Sequence, residues 1–426
     1  MFFIKRLLIF FGGKSTEHDI SVITGVLALN CVNTEDYVPV GVYVTKTGEW
    51  YGGNEYLKDL NFFKSPDLKK LTRLTLLCGD NRLYEVKRGK LKFKCFADVA
   101  LSCMHGINGE DGALIGALRL SGVAVASPDM FASSAAIDKD YTKLISKSLN
   151  LPFVNYVRLK RDCFYDKREK TMEYCAKKIG YPMIVKPARL GSSIGVKKVE
   201  TPAELELALT SAFTYDDKAV CEKYIAGAED VNVAAYYSKG KIYVSRVEKA
   251  FTSHELLTFA DKYGGGKGGM ASSYRAPLAC DEQTENLIKS YCEKIYRSLD
   301  FRGIVRFDFL LVKTAENELE TAENAETAQE NVAKNAPESG GSEKKEDYEI
   351  YFNEINAVPG SLAYYLFCDK IKDFSALLTE LCRQAEADRR RENNLITEFK
   401  SSVLAGNWQC AGRAAKNACK PREIVL

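Results

Sequence analysis

Charged and amide side chains interrupt two apolar, strand-like segments in the last third of the sequence. Arg306 and Asp308 lie two residues apart in the first segment, and Glu354 and Asn356 lie two apart in the second. Because side chains two apart in a strand share a face, each pair should point the same way. Two carboxylates and an amide oxygen suit Mg²⁺, and an arginine beside them suits phosphate or carboxylate. The same residues also fit a buried ion-pair cluster, with Arg306 between Asp308 and Glu354.

Two glycine-rich loops follow predicted strands near the N-terminus. The turn GGKSTE ends at Glu17, and its GKS triplet resembles the end of a P-loop. The first glycine of a P-loop would fall on Leu8, which excludes that motif. Glu17 therefore lies in a plain turn at the carboxyl end of a strand, where open α/β sheets bind ligands. The loop HGINGEDG begins at His105, and its glycines permit close approach of backbone to a ligand. Taken alone, both loops could equally be turns with helix-capping side chains.

Two lysines are candidate ligands for phosphate. Lys186 ends a predicted buried strand and precedes a loop rich in glycine and serine, which offers backbone N–H groups and hydroxyls. Lys139 is the second candidate, and a solvated helix lysine is its alternative. The stretch 261–269 is rich in glycine and carries Lys262 and Tyr263, a composition typical of a lid or of a plain linker.

Predicted strands and helices that alternate along the chain must position these residues. The first unit alternates strands and helices, which favours an α/β domain with a largely parallel sheet. The second and third units mix helices with more strands, so the predicted fold class is α/β (α+β). The predicted strands are 5–11, 38–44, 99–104, 123–126, 153–159, 183–186, 196–199, 219–225, 231–237 and 241–248, besides the two polar-faced ones. The predicted helices are 20–31, 114–120, 132–149, 171–179, 285–299 and 374–390.

Composition excludes several classes of protein. The 426 residues are 46% hydrophobic and 27% charged, which is typical of a globular chain of two or three domains. A net charge of +3 with no basic stripe argues against a nucleic-acid partner. The apolar start is too short for a membrane span, so we expect no membrane association. Thirteen cysteines without a C-x-x-C pair indicate reduced thiols and a cytoplasmic location.

One segment differs from the rest of the chain. Residues 314–347 contain ten acidic residues against three lysines, a net charge of −7, and almost no large apolar side chain. Such a composition cannot form a hydrophobic core. We therefore expect an insertion in the loop of a hairpin between the two polar-faced strands.

Taken in order, these motifs resemble the D-alanine–D-alanine ligase family of ATP-grasp enzymes. The matching pieces are GGKSTEHDIS, HGINGEDG, IDKDYTK, MIVKPARLGSSIGV, CEKYIAGAED, DKY, VRFDF and FNEINAVPG. The resemblance implies a three-domain ATP-grasp architecture that joins two D-alanines for peptidoglycan synthesis. It implies an N-terminal domain at 1–127, a central subdomain at 128–213, a C-terminal subdomain at 214–395 and a tail at 396–426. It also implies ATP, two Mg²⁺ ions with Mn²⁺ as an alternative, and a homodimer.

The resemblance carries a role to each matching position. Glu17 would meet the amino group of the first D-alanine, with a link through Ser192 to Tyr263. Arg306 and the Gly360 backbone N–H would stabilise the acyl phosphate and the tetrahedral intermediate. His105 would lie beside the first substrate's carboxylate. The remaining roles are phosphate contacts for Lys139, Lys186 and Lys262, an adenosine frame from Glu222, Lys223, Ile225 and Glu229, and metal ligation by Asp308, Glu354 and Asn356.

The sequence departs from the family pattern after Gly360. The family continues with a methionine, a threonine and a later hydroxyl residue that holds the second substrate, whereas this chain reads SLAYY from Ser361. Ser361 is the candidate substitute. A D-Ala–D-lactate ligase, a D-Ala–D-Ser ligase and a nucleotide-binding protein without ligase activity are the alternative functions.

Overall fold

The computed structural model describes residues 4–250, 275–278, 280–313 and 348–397. Three sheets organise this part of the chain. The predicted α/β (α+β) class is confirmed, and most predicted elements exist within two or three residues of their expected ends. The stretch with Lys262 and Tyr263, the 314–347 insertion and the tail from residue 398 lie outside the described residues.

The first sheet has eight strands in the order β6-β5-β4-β3-β2-β1-β7-β8. The four strands β2, β1, β7 and β8 are parallel, as predicted, and the near-continuous apolar sequence of β1 is buried. The other four are antiparallel, and their half-exposed side chains had not indicated strands. The strands are β1 Lys5–Gly12, β2 Tyr37–Val44, β3 Trp50–Gly52, β4 Thr72–Leu77, β5 Asp80–Lys87, β6 Lys90–Phe96, β7 Val99–Ser102 and β8 Ala124–Val125. The helices in this part are α1 His18–Cys31, α2 Asn54–Leu57 and α3 Ala113–Leu120, with 3-10 turns Leu60–Lys64 and Leu68–Lys70.

The second sheet is antiparallel, with four strands in the order β11-β10-β12-β9. The single helix predicted over 132–149 is two helices, because the Asp138 carboxylate accepts hydrogen bonds from the backbone N–H groups of Asp140 and Tyr141 and starts a new helix. The strands are β9 Tyr156–Lys160, β10 Met183–Pro187, β11 Lys197–Val199 and β12 Lys218–Lys223. The helices are α4 Met130–Ile137, α5 Lys139–Ser148, α6 Arg161–Asp166, α7 Arg168–Ile179 and α8 Pro202–Tyr215.

The third sheet carries the two polar-faced strands. β17 and β18 pair antiparallel out to Lys313 and Tyr348, so residues 314–347 join paired strand ends. The predicted strand 241–248 is two strands, β14 and β15, that both pair with β13. The strands are β13 Glu229–Ser238, β14 Lys241–Val244, β15 Glu248–Ala250, β16 Arg275–Pro277, β17 Val305–Lys313 and β18 Tyr348–Asn356. The other elements are α9 Glu282–Ser298, the 3-10 segment Gly360–Leu366 and α10 Ile371–Asn393.

The C-terminal helix α10 joins the first and third sheets. Its buried face, which includes Phe374, Leu378 and Leu381, shares one apolar cluster with Leu7 of β1 and Leu29 of α1. The 3-10 segment before α10 belongs to the same cluster. In the described part of the chain, no helix is both long and apolar enough to span a membrane.

Candidate active site

The two polar-faced strands bring their functional side chains together. In the β17–β18 ladder Asp308 lies opposite Glu354, and Arg306 lies opposite Asn356. The Arg306 guanidinium donates two hydrogen bonds of 2.7 Å to the Asp308 carboxylate. The Asn356 side-chain amide donates to the same carboxylate at 3.0 Å. The four residues therefore form one cluster, in which Arg306 is paired with Asp308.

Glu354 has a cationic partner in Lys139. The Lys139 ammonium lies 3.2 Å from the Glu354 carboxylate and donates to the Leu190 carbonyl at 2.8 Å. Lys139 begins helix α5, so the helix start after Asp138 directs it towards the third sheet. Because two carboxylates and an amide on paired strands are hard oxygen donors, their chemistry fits Mg²⁺. Among the described residues, no group of three or more His, Cys, Asp or Glu side chains could hold a metal, so phosphate or water oxygens would complete the ligand set.

Next to this cluster, a triad joins Glu222 and Lys186 of the second sheet to Lys143 of helix α5. The two oxygens of the Glu222 carboxylate face two lysines, with Lys186 at 2.7 Å and Lys143 at 3.0 Å. Lys186 also donates to the Asn353 side-chain amide at 3.2 Å. Burial would raise the pKa of Glu222, but the two lysines outweigh it and hold that pKa at about 2. Burial would likewise lower the pKa of Lys186, but Glu222 and Glu354 outweigh it and raise that pKa.

The other predicted adenosine residues lie at the end of β12 and the start of β13. The Lys223 backbone N–H donates to the Asn155 carbonyl at 3.0 Å, and its side chain is exposed. Ile225 is half-buried in the turn that follows. The Glu229 carboxylate accepts a hydrogen bond from Lys249. This segment therefore lies beside the triad, and its adenosine role stays a prediction.

Glu17 and Ser192 meet although they are 175 residues apart in the sequence. The Ser192 hydroxyl donates a hydrogen bond to the buried Glu17 carboxylate. Two glycines lie against it, because a Cβ atom at Gly191 would lie 2.9 Å from both carboxylate oxygens and one at Gly106 would lie 2.9 Å from one of them. Three loops thus converge on Glu17.

His105 is buried, and its Nε2 atom lies 3.0 Å from the Thr24 hydroxyl. Burial lowers the pKa of His105 to about 4, so the ring is neutral near pH 7. The Thr24 hydroxyl also accepts the Ser361 backbone N–H at 3.0 Å. His105 and Thr24 therefore hold the chain around Gly360, and their contact with substrate stays a prediction.

Glu110 links the loop that begins at His105 to the segment around Val358. Its carboxylate accepts the backbone N–H groups of Gly106 and Val358, both at 2.8 Å. Although part of the residue reaches solvent, burial of the carboxylate and the charge of Glu17 raise the pKa of Glu110 to about 8. Residues 361–363 follow with φ angles of 52°, 52° and 46°, a left-handed run without glycine. Such backbone needs support from its surroundings, which Glu110 and Thr24 supply.

The loop between β10 and β11 joins the parts of the site. Its Leu190 carbonyl binds Lys139, and two residues later Ser192 binds Glu17. Arg189, in the same loop, is anchored by the Asp216 carboxylate, which accepts its backbone N–H at 2.7 Å. The lysines, the Asp308 cluster and Glu17 therefore border one region of the molecule.

Comparison with known proteins gives this arrangement a family. A model described as "D-ala D-ala ligase N-terminus" matches residues 6–128, and one described as "D-ala D-ala ligase C-terminus" matches residues 145–324. The D-alanine–D-alanine ligase of Thermosipho africanus is 36% identical over 362 residues, which cover 84% of this chain and 86% of that protein. The chain belongs to the D-alanine–D-alanine ligase family.

Other relatives agree with this membership. The Vancomycin B-type resistance protein VanB of Enterococcus faecalis is 29% identical over 361 residues, covering 84% of this chain and 91% of that protein. The crystal structure of the D-alanine–D-alanine ligase of Helicobacter pylori has a TM-score of 0.66 at 25% identity, and the match covers 89% of this chain and 98% of that one.

Some residues of this D-alanine–D-alanine ligase family member had not been assigned a role from the sequence. Lys143 lies in the motif IDKDYTK, and its only signal was its position one helical turn after Lys139. Glu110 lies in the motif HGINGEDG. Thr24 had no signal, since a threonine in a helix is common. The predicted site residues Lys262 and Tyr263 lie outside the described residues.

Proposed function

We propose that this protein joins two D-alanine molecules with ATP and forms D-alanyl-D-alanine for peptidoglycan synthesis. The D-alanine–D-alanine ligase family implies ATP use. One carboxylate oxygen of the first D-alanine attacks the γ-phosphorus of ATP, which releases ADP and forms an acyl phosphate. The amine of the second D-alanine attacks the acyl carbon, loses a proton, and displaces phosphate.

The observation that carries this proposal is the β10–β11 loop, which contacts Lys139 at one residue and Glu17 two residues later. A phosphate-binding cation and an amine-binding carboxylate are thereby adjacent, which the transfer of phosphate to an amino acid requires. Lys139 and Lys186 would hold ATP phosphates, with Lys262 joining them. Glu222, Lys223, Ile225 and Glu229 would surround the adenosine.

The remaining roles follow the chemistry of the side chains. Asp308, Glu354 and Asn356 would hold two Mg²⁺ or Mn²⁺ ions, which neutralise charge on the transferring phosphate. Arg306 and the Gly360 N–H would stabilise negative charge on the acyl carbon's oxygen. Glu17 would bind the first ammonium group, with Ser192 and Tyr263 orienting it. His105 and Ser361 would border the substrate carboxylates.

Larger-scale features also belong to the proposal. ATP would lie between the central subdomain 128–213 and the C-terminal subdomain 214–395. The N-terminal domain 1–127 would supply Glu17 and His105. We propose a cytoplasmic homodimer, in keeping with the family resemblance.

Phosphate release with ATP and D-alanine, together with mass analysis of the product, tests the function. We expect D-alanine-dependent phosphate and D-alanyl-D-alanine, and no product from L-alanine. Competition between D-alanine, D-lactate and D-serine separates the alternatives, and Tyr263→Phe should raise the D-lactate share. ATP hydrolysis that ignores D-alanine would contradict the ligase assignment.

Asp308→Asn and Glu354→Gln test the metal assignment. Each should lower turnover at least about a hundred-fold, because a lost carboxylate leaves metal charge uncompensated. Tyr351→Phe is the matched control on β18, the strand of Glu354, since the Tyr351 hydroxyl donates a 2.6 Å hydrogen bond to Glu349. A near wild-type rate in Asp308→Asn or Glu354→Gln would disprove the assignment.

A further inference from the structure

Lys143 is a buried lysine in the described part of the chain that has no assigned role. It lies on α5, one turn after Lys139, and its side chain has 0% exposure. Its ammonium lies 3.0 Å from the Glu222 carboxylate and 5.6 Å from the centre of the Tyr156 ring. Burial of a charged lysine is costly and needs a compensating partner, so its presence calls for a reason.

The position of Lys143 separates it from any bound molecule. Glu222 lies between the two lysines, with one oxygen towards Lys143 and the other 2.7 Å from Lys186. Lys186 keeps 12% of its side chain exposed, whereas Lys143 keeps none. Of these two lysines, Lys186 is therefore the one that can reach a ligand. Lys143 can act on that ligand only through Glu222.

We propose that Lys143 is a positioning residue for nucleotide binding, which neutralises Glu222 and so leaves the charge of Lys186 available to ATP phosphate. With both lysines the triad carries a net charge of +1. Without Lys143 the Glu222–Lys186 pair is neutral and no longer attracts an anion. The proposal rests on the proposed function, in which Lys186 binds phosphate.

Lys143→Met is the direct test, because methionine fills a similar volume without the charge. We expect the dissociation constant of Mg-ADP and the KM for ATP to rise about ten-fold or more. The KM for D-alanine should change less than about two-fold, since the charge change is confined to the nucleotide side. A purely structural lysine would not produce that selective change.

A double-mutant cycle with Glu222→Gln tests the route of the effect. Without the Glu222 charge, Lys186 has no carboxylate in the triad to neutralise it. Lys143→Met added to Glu222→Gln should therefore change Mg-ADP affinity by less than about three-fold. This pair of proteins also remains available if Lys143→Met alone fails to fold, because the double variant removes the buried carboxylate together with the lysine that faces it.

Lys218→Met is the matched control for the removal of a buried, ion-paired lysine. Lys218 lies on the same strand as Glu222, has 5% side-chain exposure, and is paired with Asp138 at 2.6 Å and with Asp140 at 3.3 Å. We expect Lys218→Met to lower the unfolding midpoint and to leave the KM for ATP and the KM for D-alanine in the same ratio as in the wild type.

Three results would overturn the role of Lys143. They are wild-type Mg-ADP affinity in Lys143→Met, an equal loss in the Glu222→Gln background, and the same selective loss in Lys218→Met. If the wild-type protein binds Mg-ADP but releases no phosphate with D-alanine, the ligase proposal fails while the binding cycle still decides the role of Lys143.

Discussion

At the scale of residues, this site is built from charges that already have partners. Asp308 is paired with Arg306, Glu354 with Lys139, and Glu222 with two lysines. These pairs compensate the charges within the protein. In the proposed function, phosphate oxygens and a metal ion would exchange these contacts for their own in a prepared electrostatic environment.

Ser192→Ala tests the pairing of Ser192 with Glu17. A lost hydrogen bond to a buried charged group costs about 1.5–3 kcal/mol, which is roughly a ten- to hundred-fold effect. We expect kcat/KM for D-alanine to fall by that factor, with the KM for ATP little changed. Ser193→Ala is the control, since Ser193 has a similar backbone φ of 58° against 53° for Ser192. Equal losses in both variants would show that the loop, not the hydroxyl, is responsible.

His105 should make stability depend on pH. Its folded pKa of about 4 lies below the ordinary value of 6.5, so the unfolded chain takes up the proton first as the pH falls. Stability is therefore lost from pH 6.5 down to about 4, by about 3 kcal/mol at most. Urea unfolding of wild type and of His105→Gln between pH 4 and 8 measures this loss. A slope that is the same in both proteins would exclude His105 as its source.

At the scale of elements, the β17–β18 hairpin positions the polar face. Its register sets Asp308 opposite Glu354, with a register shift directly after Asp308. The ladder continues to Lys313 and Tyr348, so the polar face lies at the end of this strand pair opposite to Lys313 and Tyr348.

Replacement of residues 316–345 by a short Gly/Ser turn should leave activity within a few-fold. The pairing at Lys313 and Tyr348 holds the strand ends, and the entropic cost of a loop grows only logarithmically with its length. Steady-state phosphate release and the unfolding midpoint measure the result. A folded variant without activity would show that the insertion takes part in function.

At the scale of the whole molecule, α10 connects the first and third sheets. It contributes Leu378 and Leu381 to the cluster that also contains Leu7 and Leu29. Polar contacts reinforce the connection, such as the 3.0 Å hydrogen bond from the Tyr37 hydroxyl to Glu386. Because the site takes residues from both sides of this connection, the packing of α10 supports the alignment of the site.

Leu378→Ala tests that support. Leu378 is 1% exposed, so its truncation should cost about 2–5 kcal/mol of unfolding free energy. Ile371→Ala on the same helix is the control, because Ile371 is 54% exposed and should change stability by about 0.5 kcal/mol or less. Denaturant unfolding followed by tryptophan fluorescence measures both midpoints, with Trp50 of β3 as the reporter on the first sheet and Trp408 as the second fluorophore. Similar midpoints for the two variants would contradict a supporting role for α10.

The sequence alone determined the class of fold, the family and the shared faces of the polar strands. These depend on local patterns, namely alternation in strands, glycine-rich turns and motif order. The helix break at Asp138 was readable as a capping signal but was missed, because the apolar pattern continues across it. The antiparallel strands β3–β6 were missed because their half-exposed side chains lack the apolar run of a buried strand.

Only the tertiary structure decided which partners meet. The sequence favoured one cluster with Arg306 between Asp308 and Glu354, and the fold pairs Arg306 with Asp308 and adds Lys139 as a cation beside Glu354. It also joined Lys143 to Glu222 and Glu110 to Val358, whereas the contact of Ser192 with Glu17 had been implied by the family resemblance. Apart from the Arg306–Asp308 pair on one strand, these contacts span many residues of chain, and a local pattern carries no information about which distant charge will compensate a buried one. That choice belongs to packing, because a buried charge is stable only where the assembled fold brings its partner within reach.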